Sequence, residues 1–145
     1  FKFSLDLGSR LPLHTSAPAK AMMAWLPPGE REALVSRISF TRFNERTLSD
    51  VKALSQELEQ ARADGYALDR GEQLSGIHCV AAPVFNRHGY PIAGIWTTGP
   101  VDRIRPEDLT VVGARVVEKA RIVSERLGYG FFAQHGCKPT TGMGA

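Results

Sequence analysis

The first forty residues change from the periodicity of a strand to that of helices. The strand-like segment alternates four apolar residues with polar ones: Phe1, Phe3, Leu5 and Leu7. Behind Thr15 and Ser16, either of which can cap a helix, residues 17–26 carry apolar side chains at helical spacing until Pro27 ends the pattern. Pro28 suits the first position of a second helix, which we expect to be short.

The strongest helical pattern begins after Ser49 and ends at Gly65. Its apolar positions are spaced i, i+3, i+7 and i+10 with polar residues between them: Val51, Leu54, Leu58 and Ala61. A last helix is predicted from Pro106 to Gly128 with one apolar stripe: Leu109, Val112, Val116, Ala120, Val123 and Leu127. The Gly- and Thr-rich residues 130–145 predict a mobile tail.

Strands are predicted between these two helices. Tyr66–Asp69 forms one, and Cys79–Phe85 and Ile92–Thr98 form a hairpin closed by the loop Arg87–Tyr90. Because both hairpin strands are apolar on both faces, we expect the hairpin to be central and covered on each side. The order of elements predicts an α+β domain built on an antiparallel sheet.

The loop of the hairpin determines which strand residues face one another. If Asn86 lies opposite Pro91, one face of the sheet carries two further pairs: Cys79 with Thr98, and Ala81 with Trp96. A thiol, a hydroxyl and an indole on an otherwise apolar face suit a small-molecule pocket. The alternative is plain core, in which Cys79 is a small hydrophobe and Thr98 only fills the strand.

The start of the first helix is a second candidate for ligand binding. Its small residues Thr15, Ser16 and Ala17 leave the free N–H groups of the first turn approachable, and such a turn attracts carboxylates or phosphates. The alternative is that Thr15 or Ser16 only caps the helix, as nearly every helix requires. His14 and Lys20 nearby add no motif of their own.

Composition and charge limit the function classes. With 145 residues, 43% of them hydrophobic and 23% charged, the chain is typical of one globular domain. A formal net charge of +3 without a run of Lys or Arg gives no nucleic-acid footprint. We expect no membrane span and no signal peptide. Because the sequence starts within a predicted strand and without Met, we expect it to be a piece of a longer polypeptide.

Enzyme and metal chemistry have weak support in the sequence. Cys79 and Cys137 form no CxxC pair, which disfavours a disulfide framework or a zinc site and fits a reducing cytoplasm. Cys79, Asp69 and the histidines are the residue types of a thiol hydrolase, but strand alternation turns His78 to the face opposite Cys79. The histidines and Asp69 also lack the spacing of a metal motif. We expect no enzyme activity, no metal and no cofactor.

Five short motifs follow one another along the chain. They are Leu11–Ala21 (LPLHTSAPAKA), Gly65–Asp69 (GYALD), Gly76–Val84 (GIHCVAAPV), Thr98–Pro100 (TGP) and Arg126–Tyr129 (RLGY). Together they resemble the effector-binding domain of the IclR family of bacterial transcriptional regulators. The combination is far more specific than any single motif, and it spans nearly the whole chain.

This resemblance implies a GAF-like domain over residues 1–129, with a curved antiparallel sheet flanked by helices on both sides. It also implies a winged helix-turn-helix DNA-binding domain ahead of this segment, so that DNA is contacted only through that domain. Family members assemble as homodimers or homotetramers. The function implied is that of a cytoplasmic sensor that binds a small carboxylate-bearing effector, aliphatic or aromatic.

The resemblance also implies a ligand site. Its residues, with Ala81 added from the hairpin register, are Thr15, Ser16, Ala17, Asp69, Cys79, Ala81, Trp96 and Thr98. The sequence departs from the family pattern at Pro18-Ala19, where a less constrained residue followed by Gly is usual, and at Trp96, where some relatives have a small hydroxyl residue. The indole either fills part of the pocket or stacks on a planar ligand.

Two other functions stay open from the sequence. The chain could be an oligomerisation module whose pocket Trp96 has closed, or a hydrolase that depends on Cys79. A small molecule that raises the melting temperature would exclude the first alternative. Turnover that is lost on Cys79→Ala would establish the second.

Overall fold

The computed structural model describes residues 7–130. Their elements, in chain order, are α1 (Ala17–Trp25), α2 (Pro28–Val35), α3 (Val51–Asp64), β1 (Ala67–Arg70), β2 (Ile77–Phe85), β3 (Pro91–Pro100), a 3-10 helix (Pro106–Asp108) and α4 (Leu109–Arg126). The strand predicted at the N-terminus lies outside the described residues except for Leu7, which is in a turn. The predicted tail also lies outside them, except for Gly130.

The ends of the helices follow local rules. The Ser16 hydroxyl caps α1 by accepting from the Ala19 N–H at 3.4 Å, and the Asp50 carboxylate caps α3 by accepting from the Ala53 N–H at 2.8 Å. Gly65 ends α3 in a left-handed conformation with φ of 86°, which glycine adopts without strain. The sequence predicted the ends at Ser16, Pro28 and Gly65, whereas it did not identify Asp50 as the cap of α3.

The three described strands form an antiparallel sheet in the order β1-β2-β3. Cys79 pairs with Thr98 and Ala81 with Trp96, which confirms the predicted register. The register shifts by one residue at a bulge between Val84 and Phe85, so Pro91 pairs with Phe85 and the predicted pairing with Asn86 is wrong.

Helices cover both faces of the sheet, as the α+β and GAF-like prediction requires. On one face the small residues of α1 lie against small residues of the sheet, which brings the helix close: Ala17, Ala21 and Ala24 join Ala67 and Ala81 in one apolar cluster. On the other face Val80, Ala82 and Val84 pack against α4. The fold prediction is therefore confirmed.

Two predicted burial patterns are corrected. The strand β2 is buried, but β3 ends the described part of the sheet and leaves Ile92 and Trp96 about half exposed, so only one strand of the hairpin is central. In α4 the last part of the apolar stripe is exposed and Ser124 is buried in place of Val123. Its hydroxyl can be buried because it donates to the Ala120 carbonyl and accepts from the Phe85 N–H.

No helix between residues 7 and 130 has the length and hydropathy needed to cross a bilayer. Over the same range, the acidic, His and Cys side chains form no group of three suited to hold a metal ion.

Candidate functional site

Three polar side chains form one row across the sheet, on the face that α1 covers. Asp69 of β1 pairs with Cys79 of β2, which pairs with Thr98 of β3. The Cys79 thiol donates a hydrogen bond to the Thr98 hydroxyl, with Sγ and Oγ1 2.9 Å apart. Ala81 and Trp96 form the next row on the same face. The structure thus brings together all five strand residues of the predicted site.

The start of α1 supplies fewer free donors than the sequence predicted. Thr15, Ser16 and Ala17 are buried there. The Ser16 hydroxyl caps the helix. Pro18 has no N–H, and the Ala19 N–H is used by the cap. Among residues 7–130 the Ala17 N–H has no partner, which leaves one backbone donor for an anion.

The start of α1 also approaches β3 closely. A Cβ atom on Gly94 would lie 3.5 Å from the Pro18 Cβ, at van der Waals contact, so the proline packs directly on the strand at this residue. Gly94 lies two residues before Trp96 on the same strand face. Pro18 therefore places the start of α1 beside the row of Ala81 and Trp96.

A buried ion pair that the sequence analysis missed ties α1 to the chain after β1. The Lys20 ammonium donates to both carboxylate oxygens of Glu72 at 2.7 and 2.8 Å, and an oxygen of Glu57 lies 3.9 Å away. The Glu72 N–H in turn donates to Asp69 at 2.7 Å. One signal in the sequence could have indicated it. Lys20 is the one charged residue in α1, and it lies one turn from Ala17 and from Ala24, on the apolar side of the helix, where a charge requires a partner.

Burial raises the pKa of three acidic groups at this site: Glu72, Asp69 and Cys79. Desolvation raises the pKa of Glu72 to about 7 against the opposing effect of Lys20. Desolvation also raises the pKa of Asp69, opposed by the Glu72 N–H and Lys20. Burial raises the pKa of Cys79 to about 11, opposed by its hydrogen bond with Thr98. The thiol is thus protonated near neutrality, and Lys20 is already occupied by a carboxylate.

The two buried histidines are both held by backbone carbonyls. His78 lies on the other face of the sheet, as predicted, where Nδ1 donates to the Ile104 carbonyl at 2.7 Å. His14 Nε2 lies 3.0 Å from the Thr41 carbonyl and donates to it, which leaves Nδ1 without a partner among the described residues. Since His78 is turned away from Cys79, it cannot serve as a base for that thiol.

The raised pKa of Cys79 predicts slow alkylation. In a Cys137→Ser background, where only Cys79 reacts, we expect iodoacetamide to modify the native domain at pH 8 about 100-fold more slowly than the urea-unfolded chain, because the thiolate is scarce. Asp69→Asn should increase the native rate, since it removes a negative neighbour. Equal rates for native and unfolded protein would contradict this account of the thiol.

The raised pKa of Glu72 predicts how stability depends on pH. Between about pH 4.5 and about 7 the native state retains a proton that the unfolded chain releases, so the free energy of unfolding should fall as the pH rises through this window. Asp69 contributes in the same direction at the lower end. Urea titrations should show a flatter profile for Glu72→Gln and an unchanged slope for Glu59→Gln, an exposed residue of α3. A stability that rises with pH would contradict the assignment.

The antiparallel sheet, its two helical layers and the polar row under α1 define a small α+β domain. The family model described as bacterial transcriptional regulator IclR C-terminal matches residues 1–125. The chain therefore belongs to the IclR family and corresponds to the C-terminal domain of its members.

Individual relatives agree with this assignment. The transcriptional repressor AllR of Klebsiella pneumoniae is 38% identical over 84% of this chain and 45% of its own length. The regulator KdgR of Escherichia coli is 36% identical over 85% of this chain and 47% of its own, so the chain spans about half the length of these relatives. The crystal structure of the KdgR C-terminal domain aligns with a TM-score of 0.77 at 36% identity, over 84% of this chain and 74% of that one.

A more distant structure shows the same fold. The inducer-binding domain of the transcription factor PobR from Acinetobacter, solved as a complex with 3-hydroxybenzoic acid, aligns with a TM-score of 0.71 at 23% identity. The alignment covers 85% of this chain and 69% of that one.

Proposed function

We propose that this chain is the sensor of an IclR-family regulator and binds a small organic acid between the start of α1 and the sheet. The observation that supports the proposal is the row of Asp69, Cys79 and Thr98, which places three polar side chains from three strands on the face that α1 covers. A few convergent polar groups on an apolar surface are typical of small-molecule sites. Thr15, Ser16, Ala17, Ala81 and Trp96 complete the proposed lining.

The polar groups favour a small, singly charged acid. Ala17 offers one N–H at the positive end of the helix. The Thr98 hydroxyl and Cys79 thiol are neutral hydrogen-bonding groups, and the Asp69 carboxylate already accepts from the Glu72 N–H. Because Lys20 is already bound by Glu72, no free ammonium is added at this point. The acid can be aliphatic or aromatic, and the PobR complex gives a reason to include hydroxybenzoates among the compounds tested.

Trp96 forms one side of this site in our proposal. Its side chain on β3 is about half exposed, which is more consistent with an indole that borders the site than with one that fills it. We expect Trp96→Ser to admit bulkier acids and to cost about 1–2 kcal/mol of unfolding free energy, less than for a buried ring. Tryptophan emission in a Trp25→Phe background should change when an acid binds. Tight binding with unchanged emission and quencher access would place the indole outside the site.

The signal passes, in this proposal, to a DNA-binding domain elsewhere in the polypeptide. Residues 1–145 alone should then show no sequence-selective DNA binding at physiological salt, because their charge forms no basic stripe.

We also propose that the domain self-associates as a homodimer or homotetramer, which sedimentation at high micromolar concentration will test. The ligand changes operator affinity only through its different affinity for two arrangements of the regulator.

A thermal-shift screen tests the binding function. Aliphatic and aromatic acids are compared with their uncharged primary amides, and a true ligand raises the melting temperature in a concentration-dependent way. The amides should give smaller shifts because they lack the charge that the helix start stabilises. Thr98→Val should weaken the response of any acid that shifts the wild-type chain. If no acid shifts the melting temperature, the sensor proposal fails and the oligomerisation module becomes the better interpretation.

A further inference from the structure

A cavity lies beside β1, at the edge that has no strand partner among residues 7–130, and the row of Asp69, Cys79 and Thr98 does not line it. Its volume is about 360 Å³, enough for a small organic ligand. Residues from five parts of the described chain line it, including Arg46, Glu57, Arg70, Glu72, His78 and Leu109. The cavity therefore joins the loop before α3, the edge strand and the start of α4.

The charges around this cavity leave one guanidinium available. Arg70 is paired with Glu57 at 3.0 Å, and Glu72 takes both of its bonds from Lys20. Arg46 donates to the Arg70 carbonyl at 3.3 Å and has no carboxylate within ion-pair distance among residues 7–130. A planar guanidinium at a cavity that has no carboxylate partner of its own suits the carboxylate of a ligand.

The imidazole of His78 supplies a hydrogen-bond acceptor to the same cavity, whereas Arg46 supplies donors. Its Nδ1 is engaged as a donor to the Ile104 carbonyl, so in the neutral ring Nε2 carries a lone pair and accepts hydrogen bonds. The ring is buried and lines the cavity, and Nε2 makes no hydrogen bond within the described part of the chain. Leu48, Pro106 and Leu109 add an apolar wall. The cavity thus presents the Arg46 cation, an acceptor and a hydrocarbon surface, while its two carboxylates, Glu57 and Glu72, are paired with Arg70 and Lys20.

We propose that this cavity binds a small 2-hydroxy acid. The carboxylate pairs with Arg46, the hydroxyl donates to His78 Nε2, and the hydrocarbon part lies on the wall formed by Leu48, Pro106 and Leu109. This site does not depend on the acid site under α1. Glu72 lines the cavity and also binds Lys20 of α1, which gives a direct contact between the two sites.

Mandelate provides the test, because it has a carboxylate, a 2-hydroxyl and an apolar ring. Phenylacetate lacks only the hydroxyl, and methyl mandelate lacks only the charge. Titrations followed by amide ¹H–¹⁵N shifts should show mandelate binding at least about tenfold more tightly than either analogue, since each loses one polar contact. The largest shifts should lie at Arg46, His78 and Leu109.

Variants of exposed arginines test the location of the site, because a change at buried His78 would also affect folding. Arg46 is exposed, so Arg46→Gln should remain folded and weaken mandelate about tenfold or more. Arg42→Gln, an exposed arginine of the same loop that does not line the cavity, should bind like the wild type. No mandelate binding up to its solubility limit, equal affinity for phenylacetate, equal weakening in both variants, or shifts centred on Cys79 and Thr98 would each overturn the proposal.

Discussion

Lys20→Met is expected to destabilise the domain by about 3–5 kcal/mol, because it leaves the Glu72 carboxylate buried without its cation. The carboxylate accepts two hydrogen bonds from that ammonium and is only 3% exposed, so water replaces the lost partner poorly. Urea denaturation at pH 9 measures the loss, because at lower pH the unpaired Glu72 carboxyl takes up a proton. It should exceed the loss from any single change in an exposed ion pair.

The double variant Lys20→Met/Glu72→Leu separates the ion pair from general packing. Replacing both charges with apolar side chains of similar size removes the unpaired charge, so most of the lost stability should return. Arg121→Met is the matched control, since Arg121 and Glu125 form an exposed pair one turn apart on α4, and it should cost less than about 1 kcal/mol. A Lys20→Met variant as stable as the control would show that the buried pair does not contribute.

Gly113→Ala is expected to destabilise the domain by about 1–3 kcal/mol, although alanine is the better helix former. A Cβ atom at this position of α4 would lie 2.5 Å from ring carbons of Tyr66, closer than carbon atoms can approach. The helix or the ring must therefore move. Gly29→Ala in α2 is the control, because nothing lies within 4 Å of its added Cβ, and it should be neutral or stabilising by up to about 1 kcal/mol.

The smaller side chain of Tyr66→Leu should restore part of the stability lost in Gly113→Ala, because it removes the ring that the new methyl group meets. Thermal or urea unfolding of the two single variants and the double variant gives the coupling free energy between residues 66 and 113. A Gly113→Ala variant more stable than wild type would mean that the ring is not held against α4.

Local signals in the sequence predicted much of this fold. Ser16 and Gly65 set helix ends through interactions with their own neighbours, so capping rules locate them. The hairpin register followed from a short loop and strand alternation, and it grouped Cys79, Thr98 and Trp96 correctly. The bulge at Val84 was not predictable because it depends on how the loop closes.

Features that depend on distant parts of the chain were missed. Lys20 and Glu72 are 52 residues apart, and although Lys20 lies within the first of the five family motifs, no pattern in the sequence links it to Glu72, so only the fold shows that they meet. The burial of Ser124 likewise depends on the Phe85 N–H, 39 residues away. For the proposed site, the sequence placed Cys79, Ala81, Trp96 and Thr98 on one strand face, as the register does. It overestimated the free donors at the helix start, because the cap and Pro18 remove two of them.

The central claim is that an organic acid binds between the start of α1 and the sheet. Amide ¹H–¹⁵N shifts of the protein with a bound acid test it most directly. The acid with the largest thermal shift is titrated into ¹⁵N-labelled protein, and the perturbed amides are compared with the structure. We predict that the largest changes fall at Ala17, Cys79 and Thr98, and that Thr98→Val reduces them together with the affinity. Changes confined to the groove between α2 and α3, around Arg31 and Ser55, would contradict the assignment of the effector site.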